Sequence, residues 1–353
     1  MINLNKVTTS NYNYFMTGWY YQDRQWATKT VSVAADRYTL LSPQSIQVDV
    51  SGVSLTQFGP AYLDLSLTNT WDTISGTDYR TASNRSGKDF YVYACQPVSG
   101  TLPVIKVSAS ATTPTNYTAS TSRKIAGFHC LCVAVGTISN HTLTGYLAGD
   151  ILPQSVWDLN NRAESENEGM VYDPKISAWV DIYLFTGTGT TTTSVNGAFY
   201  QDTKTQYEFV DYAALQKKRL LFDHEFTSMA TGCNEGTNVT GSAEQNTTTG
   251  HLDTAGRRMI SNIGCEDCAG VIWQWLNDSL TSADGSASWA WKDVTGSRGQ
   301  VYSQGTYGYY KLVAGGRWAG GAAGGSRSRY LSYWAWGSGS DIGGRALSQK
   351  RVG

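Results

Sequence analysis

Apolar and polar residues alternate in short runs through the first half of the chain. Residues 30–33 (TVSV), 45–50 (SIQVDV), 89–94 (DFYVYA), 104–107 (VIKV) and 131–135 (LCVAV) read as strands, because a period of two sends successive side chains to opposite faces. Turn residues at Ser42-Pro43 and Gly59-Pro60 and Ser/Thr/Gly/Pro loops punctuate them. The pattern predicts a small N-terminal β module over residues 1–60 and a β-sandwich-like middle domain over 61–168. Residues 160–168, with Ala163 as their one apolar side chain, predict a solvated linker. The period then changes. A helix is predicted over 207–219, with Phe209, Val210, Ala213 and Ala214 on one face and Lys217, Lys218 and Arg219 favouring the negative end of its dipole. A second follows with Asp223 as N-cap, Phe222, Phe226, Met229 and Ala230 on one face, and Gly232 closing it. Residues 264–278 predict a buried strand, with Val271, Trp273 and Trp275 to one side and Ile272 and Leu276 to the other. The fold class is mainly β, with an α+β C-terminal domain over 169–353.

Residues 313–347 break every simple period. Glycine pairs at 315–316, 320–321, 324–325 and 343–344 alternate with Trp318, Trp334 and Trp336 and with Arg327, Arg329 and Arg345. Glycine permits close backbone approach, and tryptophan needs fixed surroundings to be worth its buried area. Together they predict a loop-rich surface pinned by aromatic and guanidinium anchors, which is how a binding face is built.

Composition narrows the partners. Charged residues make up 16% of the chain and the net charge is −1, so the basic footprint of a nucleic-acid or anionic-membrane binder is missing. Gly 37, Tyr 22 and Trp 12 favour a β-rich, extracellular type of surface. The amino terminus has no apolar run that would serve as a signal-peptide core, and no segment approaches the roughly 18–20 apolar residues of a membrane span. Cys95, Cys130, Cys132, Cys233, Cys265 and Cys268 are too scattered for a disulfide framework. Cys265-x-x-Cys268 has half the spacing of a zinc site, but the other close pair, Cys130-x-Cys132, has strand spacing; reduced, partly buried thiols are expected. His129, His141, His224 and His251 fall in no metal or triad motif.

The frame Gly315-Gly316-x-Trp318, Gly325-Ser326-Arg327 and Ile342-Gly343-x-Arg345 resembles the variable region of proteins diversified by retroelements, the phage tropism determinants among them. Residues 117–129, 155–158, 169–170, 178–184 and 299–302 resemble the corresponding stretches of that family, in the same order, and the amino-terminal part resembles it poorly. Residues 218–226 and the Trp273-x-Trp275 strand resemble C-type-lectin-like domains of the formylglycine-generating-enzyme type. In the family, adenines of asparagine codons are randomised, so variable positions hold residues that an NNY codon encodes. The resemblance implies variable, ligand-contacting positions at Arg317, Ala319, Gly320, Ala323, Tyr330, Ser332, Tyr333, Gly337, Gly339 and Asp341. It implies a scaffold of Trp318, Ser326, Arg327, Trp334 and Arg345. The fold implied is a C-type-lectin domain, and the role is binding a host cell-surface receptor, protein or glycan, from the virion surface at a tail-fibre tip. Other tail-fibre proteins and a homotrimer are the implied partners; no cofactor, metal, nucleic acid or membrane insertion is implied. Two other readings stand beside it. A formylglycine-generating oxidase needs paired cysteines late in the domain, and none follows Cys268. A calcium-dependent lectin is suggested by Trp275-Leu276-Asn277-Asp278, but a Glu-Pro-Asn type of ligand loop is missing, and calcium takes several such oxygens.

Overall fold

The computed structural model describes residues 36–42, 46–57, 61–158, 161–281, 288–292, 297–303 and 309–351; the strand expected at 30–33 lies outside them. The chain divides into two compact units, Met1–Leu131 with Ala148–Arg162 and Lys350–Gly353, and Cys132–Leu147 with Ala163–Gln349.

In the first unit β1 (Thr39–Ser42), β2 (Ile46–Val50), β3 (Val53–Gln57) and β4 (Ala61–Asp64) form two antiparallel ribbons, β1 with β4 and β2 with β3. A one-turn helix α1 (Ala82–Arg85) leads into β5 (Asp89–Cys95), followed by β6 (Val104–Ser108), β7 (Ser122–His129) and β8 (Trp157–Asp158). These four pair antiparallel in the order β6-β5-β7-β8. The alternation in β5 sends Phe90, Val92 and Ala94 into one core with Val107, Ile125, Ala126, Phe128 and Trp71, and Leu40, Val48, Val50 and Leu55 from the ribbons complete it. Each Val, Leu, Ile or Phe among them contributes about 1.5–3 kcal/mol through burial.

Two expectations change here. Residues 131–135 are not a strand; Leu131 and Val135 are buried but donate from their N–H groups to Asp150 O (2.8 Å) and Tyr146 O (2.9 Å) in loops. An apolar alternation marks burial and does not by itself require a ladder partner. Within 161–168, Asn161, Ala163, Ser165 and Asn167 are buried in alternation with more exposed neighbours, so this segment is not a solvated linker. Its backbone is tied down, Glu164 N–H donating to Gln349 O at 2.9 Å and Ser165 N–H to Ser348 Oγ at 3.1 Å.

The second unit holds β9 (Met170–Asp173), β10 (Ala178–Asp181), α2 (Gln206–Leu215), β11 (Arg219–Leu220), α3 (Asp223–Met229), β12 (Trp273–Thr281), β13 (Ala290–Lys292), β14 (Val301–Ser303), β15 (Tyr309–Ala314), β16 (Arg329–Tyr333), β17 (Ile342–Gly343) and β18 (Ala346–Gln349). One sheet runs β11-β18-β10-β9 and the other β13-β14-β16-β15-β12-β17. Pairing of β18 with β10, Trp179 opposite Ser348, returns the end of the unit to its start. Helix α2 begins at a capping box, Thr205 Oγ1 accepting from Glu208 N–H (3.2 Å) while Glu208 accepts from Thr205 N–H (2.8 Å). It ends at Leu215, before the basic triplet. Lys217 turns the chain at φ 57°, Lys218 pairs with buried Asp181 at 2.6 Å, and Arg219 grips Glu225 with two bonds of 2.7 and 2.6 Å. Strong side-chain partners outweigh the weak attraction of the dipole. The cap of α3 is Phe222, whose N–H donates to Glu225 Oε2 at 2.7 Å, so Asp223 is the first helical residue instead. Of residues 264–278 only those from Trp273 are in the strand. Among the described residues no helix is long and apolar enough to cross a membrane.

Candidate functional site

Close packing, more than flexibility, explains the glycines of 313–347. Gly315 follows β15 at φ 94°, where a Cβ would sit 2.6 Å from Cys268 O; at Gly324 a Cβ would sit 2.4 Å from Thr237 O. Between them two turns, Gly320 N–H to Arg317 O (2.9 Å) and Ala323 N–H to Gly320 O (3.0 Å), coil the backbone so that Arg317, Ala319, Gly320 and Ala323 share one rim. Strand β16 supplies the opposite wall through an irregularity. Lys311 pairs with Tyr333 and Val313 with Tyr330, so three steps on β16 oppose two on β15. This bulge turns both Tyr330 and Tyr333 to the same cavity, where a regular strand would split residues three apart between its faces.

The cavity has a volume of about 310 Å³ and is lined by Trp273, Trp291, Tyr302, Arg317, Ala319, Gly320, Ala323, Tyr330, Tyr333 and Asp341. Seven of the ten positions read as variable, Arg317, Ala319, Gly320, Ala323, Tyr330, Tyr333 and Asp341, therefore meet in one place. The other three do not line it. Ser332 is half-buried on β16, Gly337 closes a turn on Trp334 O at 2.9 Å, and Gly339 O accepts from Thr203 and Ile342 N–H groups at 3.0 and 3.1 Å. Trp273, Trp291 and Tyr302 come from outside the segment and were not read as site residues. For the two tryptophans the signal is the alternation of Trp273-x-Trp275 and Trp289-x-Trp291.

Aromatic faces lock this wall together. Trp273 and Trp291 lie parallel within 9° at 6.0 Å, and Tyr302 stacks on Tyr330 at 4.7 Å and 14°. Trp275 meets Tyr333 edge-on at 5.7 Å from beneath. Tyr330 and Tyr333 are consequently half-buried and packed against the core, so they are less tolerant positions than free loop residues would be. At the rim Arg317 Nη1 donates to Asp341 Oδ2 at 2.7 Å. Burial, then the Asp341 carboxylate, pushes the Tyr333 phenol up to about 12, so it stays a neutral donor at physiological pH. Such a site can stack on a ring and exchange hydrogen bonds. All six cysteines are buried, none is in a disulfide and none lines the cavity.

The expected scaffold divides. Arg345 is 1% exposed and donates to Asp181 O (2.7 Å), Gln274 Oε1 (3.2 Å), Ile182 O and Glu266 O. Ser326 is fully buried, its N–H and hydroxyl both donating to Glu235, at 3.0 and 2.5 Å. Trp318 packs on the cluster of Leu184, Val239, Met259 and Ile272, and its carbonyl accepts from Asn238 Nδ2. Two anchors fail. Arg327 is exposed, touching the frame through its backbone N–H to Arg298 O (3.0 Å), and the buried guanidinium is that of Arg329. Arg329 pairs with Asp223, donates to Ser326 O (3.0 Å), Ser328 O (2.8 Å) and Thr227 Oγ1 (2.7 Å), and lies over the Phe226 ring. Arg327 precedes β16 in the turn closed by Ser328 N–H on Gly325 O, and is its exposed member between buried Ser326 and Ser328. Trp334 is 45% exposed and stacks on Trp336, itself 62% exposed, just past the end of β16; Ala335 between them is the buried residue.

A glycine-framed, aromatic cavity on two small sheets and two helices, with the last strand paired between β10 and β11, belongs to a C-type-lectin-like domain. Along most of its length the chain resembles the major tropism determinants. Residues 64–158 match the family described as Mtd second domain. The chain is 27% identical over 327 residues to the tail fiber receptor-binding protein of Bordetella phage BPP-1, covering 83% of this chain and 81% of that one. Among solved structures it superposes on the major tropism determinant M1 variant with a TM-score of 0.67 at 23% identity, over 90% of this chain and 82% of that one. The U1 variant gives 0.66 at 23%, over 89% and 82%.

Proposed function

We propose that this chain is a phage tail-fibre receptor-binding protein, and that the cavity of its C-terminal unit is the face that meets a molecule on the host cell. One observation carries the reading: seven residues chosen by codon class, scattered over 25 positions from Arg317 to Asp341, converge on a single concavity with the constant frame beneath them. The ten positions from Arg317 to Asp341 named above are the ones a retroelement varies, and Trp318, Ser326 and Arg345 hold the frame. The relative from Bordetella phage BPP-1 is a tail fiber receptor-binding protein by name, which favours binding over catalysis. The protein sits at the virion surface, presented by other tail-fibre components, and the N-terminal module over 1–60 and middle domain over 61–168 carry the C-terminal domain over 169–353. Several copies, three in this reading, offset the weak contact of one small patch, since linked sites raise avidity by about two to four orders of magnitude.

Alanine replacement of Tyr330 would disturb the stack on Tyr302, so the decisive variant is Ala319→Arg, which fills the rim from an exposed position. Adhesion of the folded variant to host cells should fall to background with an unchanged melting temperature. Undiminished adhesion would place the receptor site elsewhere. The diversification half is tested by sequencing around the gene: a near-copy of the segment beside a reverse transcriptase, differing mainly at adenines, is expected.

A further inference from the structure

We infer that the cavity takes a neutral saccharide ring, held against an aromatic floor that residues 313–347 do not encode. The inference rests on the receptor-binding reading and deepens it. Trp273, Trp291 and Tyr302 come from β12, β13 and β14, so variation confined to the segment leaves them in place. At about 310 Å³ the cavity is at the low end of the ~300–1,000 Å³ typical of small-molecule pockets, room for one ring and not for a peptide strand.

The rim decides the chemistry of that ring. Arg317 and Asp341 neutralise each other at 2.7 Å, so an anion would compete with Asp341 for the guanidinium and a cation with Arg317 for the carboxylate. A hydrocarbon ring would strip water from the pair and from the phenol of Tyr333 without returning hydrogen bonds. A pyranose meets both demands. Its C–H face lies on indole, of which Trp291 is 38% exposed and reachable, while its hydroxyls both accept from Arg317 and donate to Asp341. The floor then supplies a constant preference for sugar rings, and the varied rim selects which hydroxyl pattern is held.

The test titrates the full chain with free methyl glycosides of common hexoses and N-acetylhexosamines, and with N-acetylphenylalaninamide as a protein-like ring, following tryptophan emission and saturation-transfer NMR. At least one glycoside should bind at millimolar concentration, Trp291→Ala should weaken it at least tenfold, Trp291→Phe should retain part of it, and Arg327→Ala, outside the cavity, should leave it unchanged. Binding that survives Trp291→Ala, or no glycoside binding at all, overturns the inference. Binding of the phenylalanine amide alone would overturn it by assigning the cavity to a protein side chain. Loss of host adhesion in Ala319→Arg together with no glycoside binding sinks the saccharide and leaves the receptor-binding reading standing.

Discussion

Two kinds of arginine occupy residues 313–347. Arg329 and Arg345 lie beneath the surface and spend their guanidinium donors on backbone carbonyls and on Asp223 or Gln274, whereas Arg317 and Arg327 stand in solvent, the first with Asp341 for a partner. The buried pair sit where strands leave their sheets, at the start of β16 and just before β18, and there they donate to carbonyls of neighbouring loops and strand ends. The exposed pair sit on turns. One residue type thus builds the frame or stands in solvent according to its place along the strand, and substitutions should separate the two groups.

The largest effect is expected at Arg345. Arg345→Met takes a donor from Asp181 O, Glu266 O and Gln274 Oε1 in a dry interior, while Ile182 O keeps the Glu266 N–H at 2.8 Å, and should cost about 3–5 kcal/mol in urea unfolding. A loss under 1 kcal/mol would make the buried arginine no more structural than the exposed ones. Gly324→Ala comes next, at about 1–3 kcal/mol, because the added methyl must displace Thr237 O from 2.4 Å. Its unfolding midpoint should drop while Ala319→Arg, on the same rim, melts like the parent.

A smaller signal comes from titration in the frame. Burial lowers the pKa of His251, but Asp267, 2.8 Å from Nδ1, outweighs it and the net value is raised above 6.5. A raised folded value means that the stabilisation is fully present below pH 6.5 and is lost as pH climbs through that raised value. Unfolding free energies of the parent and of His251→Asn should therefore differ most at acidic pH and converge in alkaline buffer; a gap that widens with pH would contradict the pairing. The smallest effect belongs to Arg327→Ala, within about 0.5 kcal/mol, and thermal melting beside Arg345→Met gives the direct contrast.

Much of this was legible in the residues alone. The period of two found β2, β5 and β6, because successive side chains of a strand point to opposite faces. The period of 3.6 found α2 and α3 to within a few residues, and the rhythm of glycine, tryptophan and arginine marked 313–347 as a framed surface. Local pattern sufficed for these, since each depends on neighbours along the chain. Tertiary structure decided the rest. The bulge between β15 and β16 aims Tyr330 and Tyr333 the same way, and the pairing of β12 with β15, β14 with β16 and β13 with β14 brings Trp273, Trp291 and Tyr302 under the rim. Arg329 rather than Arg327 is buried because Asp223 and Thr227, a hundred residues earlier in sequence, stand beside the first residue of β16. Which side chain is dry and which meets solvent depends on the register between distant strands, and no spacing within one segment encodes it.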